Sequence, residues 1–187
     1  MVVGALSGDV WKIVSFSIYG TTLVLLYSFS TLYHNAAHGK VKRLLQKLDH
    51  NSIYLLIAGS YTPFTLVSLR GSWGWSLFGM IWGLALVGIS QEVWLKQKTR
   101  WVSLTIYLLM GWAAVVAVVP LAAALSWSGF VWLAAGGVAY TVGAVIYSIK
   151  KISFNHAIFH IFVLIGSISH FIAVYFYVLP ANVSPLP

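Results

Sequence analysis

WVSLTIYLLMGWAAVVAVVPL, residues 101–121, contains no Asp, Glu, Lys, Arg or His. As a helix rising 1.5 Å per residue it spans about 30 Å, the thickness of a bilayer's hydrocarbon core. Five further apolar runs of similar length lie at roughly 12–34, 51–69, 73–91, 129–149 and 157–179. Backbone groups in lipid must be satisfied within their own segment, so these runs are expected to be helices. The 187 residues are 60% hydrophobic and 7% charged, with a mean hydropathy of +0.89. Soluble domains carry about 25% charge, so this chain cannot clothe a core in polar surface. The expectation is an all-α, polytopic transmembrane helical bundle with six spans, forming a single transmembrane domain over residues 1–187.

The connections are short and hold no soluble domain. The longest, Asn35 to His50, carries Lys40, Lys42, Arg43 and Lys47 and is expected to be an amphipathic or looped segment at headgroup level. Pro63 and Pro120 are expected near helix ends or at kinks. Gly79, Gly83, Gly88, Gly136 and Gly137 are expected to allow close helix contact.

Charge sets the orientation. Six crossings put 35–50, 92–100 and 150–156 on one side, with Lys40, Lys42, Arg43, Lys47, Lys96, Lys98, Arg100, Lys150 and Lys151; Lys12 and Arg70 fall on the other. The positive-inside rule makes the first side cytoplasmic. Trp73, Trp75 and Trp127, with Trp94 and Trp101 opposite, fit interfacial belts. The net charge of +8 reflects scarce acids, Asp9, Asp49 and Glu92, rather than a basic patch, which excludes nucleic acid as a partner. Without Cys, any metal must use His or carboxylate. The first residues lack a signal-peptide pattern. With the N-terminus outside, Val2 to Leu6 read as the last turn of a further helix that starts upstream.

Ionisable residues inside or at the ends of spans default to functional candidates. The spacing of four in Ser30-Thr31-Leu32-Tyr33-His34 puts Ser30 and His34 on one helix face, and His156 and His160 repeat that spacing on the last span. Asp49 begins the second span. All three places converge on the cytoplasmic leaflet. Three neutral imidazoles leave one position of a tetrahedral Zn²⁺ open to water, the arrangement of a catalytic site. Asp49 is then expected to orient that water, accept its proton or fix a ligand's tautomer, and Ser30 to hydrogen-bond the water or a carbonyl oxygen. Against this stand plainer roles: a helix-end imidazole capping carbonyls, Asp49 as an N-cap, and Ser30 bonding its own helix backbone. His38 is expected to be solvated, His50 to be a neighbour of the site or surface, and His170 to be a packing residue with a hydrogen bond.

The ordered motifs Ser30 to His34, Leu48-Asp49-His50, Ile57-Ala58-Gly59-Ser60-Tyr61-Thr62-Pro63, His156 to His160 and His170-Phe171 cover essentially the whole chain. In them the sequence resembles the hemolysin III family of bacterial membrane proteins, within the progestin and adiponectin receptor superfamily. The resemblance implies a seven-helix fold of which six spans are present here, the first helix being absent or reduced to a few residues. It implies location in the bacterial inner (cell) membrane and zinc on His34, His156 and His160, with Ser30 and Asp49 beside the bound water. It also implies a hydrolase of lipid amides, with membrane lipids as partners. Two other functions remain open: a non-enzymatic sensor or regulator in which zinc ties three helices together, and cytolysis, as the family name suggests.

Overall fold

A computed structural model describes residues 8–94 and 100–180. Val2 to Leu6, Lys96 and Lys98 lie outside the described residues, as do the side chains of Trp94 and Arg100. Helix α1 (Val10–Asn35) starts where Asp9, its N-cap, accepts the Trp11 amide at 2.8 Å. Helix α2 (Lys40–Pro63) continues as a π-helical turn, Phe64–Ser68. Helix α3 is Ser72–Trp94. Helix α4 (Arg100–Trp112) runs through a 3-10 turn, Ala113–Ala117, into α5 (Val118–Ala124). Helix α6 (Trp127–Ser148) is capped by Ser126, and α7 (Asn155–Ala173) ends in a second π-helical turn, Val174–Val178. Among the described residues these make six rods and no strand, the helical bundle expected.

Five of the rods are long and apolar enough to cross a membrane, one fewer than the six runs anticipated. The exception is α2, and its position explains why. From Ser52 onward it is mostly buried by its neighbours, with Tyr54, Ala58 and Thr62 fully enclosed. Lipid does not solvate this rod, so it can carry polar side chains that the outer rods cannot. Those side chains satisfy themselves locally: Ser52, Ser60 and Thr62 donate to the carbonyls of Asp49, Ile57 and Ala58. The outer rods instead present Val24, Leu86, Val119, Ile161 and Phe171 outward, the apolar face lipid requires.

The segment Asn35 to His50 is not a separate loop or surface helix. Only residues 36–39 connect, with Gly39 at φ 112°, and Lys40 to His50 are the opening turns of α2 itself. The N-cap role for Asp49 is therefore excluded, because Gly39 holds that position and Asp49 sits well inside the helix. Both prolines mark irregularities: Pro63 precedes the π turn and Pro120 follows the 3-10 turn. The Tyr61 hydroxyl repairs the second break, donating to the Gly111 carbonyl at 2.7 Å and accepting the Ala114 amide at 2.9 Å.

Of the glycines expected to pack, Gly88 lies against the Tyr54 ring and Gly136 against the His170 ring, where a Cβ would collide. Gly79, Gly83 and Gly137 have open space at that position, so close contact is not their role within this chain. At the end opposite the basic segments, Lys12 donates to the Leu179 carbonyl at 2.8 Å and Arg70 sits 5.0 Å over the Trp11 ring. Trp73, Trp75, Trp101 and Trp127 are all exposed, as interfacial residues must be.

Candidate metal centre

At the basic end of the bundle, α7 begins with a chain reversal. Phe154 adopts a left-handed φ of 57°, and the Asn155 side-chain amide donates to the carbonyls of Tyr147 and Ile149, each at 3.2 Å. This ties the first turn of α7 to the last turn of α6. His156 follows immediately, with the Tyr147 ring 5.3 Å from its own. His160 lies one turn on, and the two Nε2 atoms are 2.9 Å apart. From the last turn of α1, His34 brings its Nε2 to 3.2 Å from that of His156. The three ligand atoms fall within 4.8 Å of one another.

The chemistry of this meeting is decided by His34. Its Nδ1 lies 2.9 Å from the Ser30 carbonyl oxygen, which can only accept, so Nδ1 carries the proton and Nε2 points a lone pair at the other two rings. Nitrogens converging in this way repel unless a cation or a shared proton lies between them. Two nitrogens each about 2.05 Å from a tetrahedral zinc lie about 3.3 Å apart. The two separations to His156, 3.2 and 2.9 Å, approach that, and three imidazoles are a borderline-soft donor set suited to zinc. The residues present therefore fit the group. The carbonyl behind His34 is the kind of outer partner that fixes a ligating imidazole.

Asp49 is buried, and His50, Ser30, His34 and His156 are the groups acting on its carboxyl. The ring nitrogens thus come from two rods, α1 and α7, and a third rod, α2, adds the carboxylate. Ser30, Asp49, His156 and His160 open onto a cavity of about 550 Å³ that runs along the bundle between α2, α4, α6 and α7, reaching Phe64, Leu121 and Phe130. Most of its lining is aliphatic or aromatic. All five candidate residues are brought together.

The other histidines separate as anticipated. His38 is exposed in the α1–α2 connection. His170 is buried and donates from Nε2 to the Leu133 carbonyl at 3.2 Å. His50, next to Asp49 and lining the same cavity, has Nδ1 4.0 Å from a Glu92 carboxylate oxygen. Three residues that shape the region were not singled out from the sequence: Asn155, Tyr147 and Glu92. An Asn at a helix start is a recognisable signal, but its partners on α6 are a tertiary fact.

The family model described as haemolysin-III related matches residues 1–171. Hemolysin-3 of Bacillus cereus is 48% identical over 173 residues, which are 92% of this chain and 79% of that protein. The Hemolysin-3 homolog of Bacillus subtilis (strain 168) is 48% identical over 170 residues, 91% and 80% of the two chains. The human monocyte to macrophage differentiation factor is 31% identical over 178 residues, covering 92% of this chain and 74% of that protein. With its apolar rods and a family match across most of its length, this chain is an integral membrane protein of the haemolysin-III related family.

Proposed function

We propose that the protein is a zinc-dependent hydrolase of lipid amides, working at the cytoplasmic leaflet of a bacterial inner membrane. The observation that carries this reading is the convergence of three imidazole nitrogens, one with its lone pair fixed inward, at the mouth of an apolar cavity. His34, His156 and His160 would hold the ion. Bound there, zinc supplies a Lewis acid and a water acidified to a pKa of about 7. The chain's own residues supply the remaining chemistry. Asp49 accepts a proton from the attacking water and returns it to the leaving amine, so that the C–N bond breaks without expelling an amide anion. Ser30 donates a hydrogen bond to the carbonyl oxygen as negative charge gathers there. The aliphatic lining receives the acyl chain directly from the bilayer, and excludes water from everything but the polar mouth.

The basic segments around α2 and the α6–α7 connection would hold this mouth on the cytoplasmic side. Purified protein in lipid nanodiscs, given ceramide-type amides with and without added zinc, tests the reading: turnover should require the metal and be lost in His34→Ala. Full turnover in that variant would sink it. If the metal instead serves a non-enzymatic protein, zinc removal would lower thermal stability while no amide is consumed.

A further inference from the structure

Two exposed elements carry positive charge at the end of the bundle where His34, Asp49 and His156 lie. The first is the opening of α2. At 100° per residue, Lys40, Arg43 and Lys47 fall within about 60° of one another around that helix, and all three are exposed. Val41 and Leu44 lie beside this strip at 67% and 57% exposure. Lys42 fastens the turn to the end of α1: its Nζ donates to the Ala36 carbonyl at 3.0 Å and stands 5.4 Å from the centre of the Tyr33 ring. Gln46, in the same turns, lines the cavity. The second element is the connection 149–154, between α6 and α7. Its Lys150 and Lys151 are exposed, as are Ile149 and, at 84%, Phe154, two residues before His156.

Little in the chain can balance these cations. It has three acidic residues for eleven Lys and Arg. Asp9 caps α1 at the opposite end, and Asp49 and Glu92 are buried. The charge of the two elements is therefore balanced from outside the chain. The apolar side chains beside it indicate by what. A soluble anion would gain nothing from Val41, Leu44, Ile149 and Phe154, which water solvates poorly. Phe154 also holds a φ of 57°, costly for a bulky residue, where Gly or Asn would turn the chain more cheaply and stay soluble. Basic residues interleaved with exposed apolar ones suit the boundary between headgroups and acyl chains, where both are solvated. At that boundary Lys and Arg attract anionic lipids.

We propose that the opening turns of α2 and the 149–154 connection form a rim that gathers anionic phospholipids around the polar end of the cavity. This rests on that end lying among the headgroups of a leaflet and is independent of the metal and of amide turnover.

The chain has no Cys, so a single substitution places a donor dye where it is wanted. Ser153→Cys puts the dye on the rim, and Ser72→Cys, at the start of α3, puts it at the opposite end; both positions are exposed. The full chain is reconstituted in phosphatidylcholine vesicles holding a minor share of phosphatidylglycerol, with an acceptor dye on an acyl chain of one lipid or the other. From the rim, energy transfer to phosphatidylglycerol should exceed that to phosphatidylcholine by about twofold or more, and from the opposite end the two should be equal. Lys40→Gln, Arg43→Gln, Lys47→Gln, Lys150→Gln and Lys151→Gln together should abolish the excess, and high salt should lower it. Lys150→Gln with Lys151→Gln alone should roughly halve it, and decides the matter if the fivefold variant does not reconstitute. Equal transfer at the rim, an excess that both variants keep, or the same excess at the opposite end would overturn the rim. No lipid preference, together with polyglutamate binding that the five substitutions remove, would overturn the lipid in favour of an acidic protein segment. His34→Ala should keep the excess, so loss of turnover there strikes only at the hydrolase, and loss of the excess strikes only at the rim.

Discussion

Replacing His156 and His160 together by Ala removes two of the three converging nitrogens while leaving His34 held by the Ser30 carbonyl. Structural zinc sites with four ligands bind with about 10–16 kcal/mol of free energy at neutral pH, or roughly 2.5–4 kcal/mol per ligand. Losing two ligands should then cost roughly 5–8 kcal/mol, a weakening on the order of 10⁴-fold or more. His160→Ala alone should weaken binding by about 10² to 10³-fold on the same scale. Elemental analysis after purification should find about one zinc per chain in the unaltered protein and essentially none in the double variant. Competition against a chromophoric chelator would give the affinities. Helical circular dichroism and a monodisperse elution profile establish that the variant still folds, as expected for two half-buried side chains. A folded double variant that keeps zinc at the original affinity would refute a centre built on these imidazoles.

Ser30→Ala should retain zinc, because the group that holds His34 is the backbone carbonyl of Ser30 and not its hydroxyl, while amide turnover falls. Asp49→Asn should likewise keep the metal but lower turnover by roughly 10² to 10⁴-fold, the usual contribution of a positioned acid–base group, as initial rates would measure. Asn155→Ala should loosen the first turn of α7 from α6 and weaken zinc binding by about 10- to 100-fold without removing a ligand. Gly88→Ala drives a methyl into the Tyr54 ring and should destabilise the bundle by about 1–3 kcal/mol, seen as a lower thermal midpoint, whereas Gly79→Ala, which meets open space, should change little.

Much of this protein is written locally. Runs such as 101–121 can only be membrane helices, because no other arrangement satisfies their backbone in lipid. The four-residue spacings of Ser30 with His34 and of His156 with His160 follow from helix periodicity alone. The charge pattern put those residues at one end before any contact was known. Residues 36–50 were harder to read, because a basic run beside an apolar one looks like a boundary. Only the structure shows that Lys40 to His50 are the largely exposed opening turns of a helix that its neighbours shield from Ser52 onward. The same shielding explains why this rod lacks the apolarity of the other five.

What tertiary structure alone decided are relations between distant parts of the chain. Asn155 reaches back to α6, Tyr61 mends a break in α4, and His50 and Glu92 meet across α2 and α3. Periodicity assigns a side chain to a face of its own helix, but which helix lies opposite depends on how six rods pack. Composition, spacing and charge therefore determined a membrane bundle with histidines gathered at its basic end. Packing decided that three of their nitrogens meet, that Asp49 lies among them instead of capping a helix, and that the buried Glu92 lies beside His50.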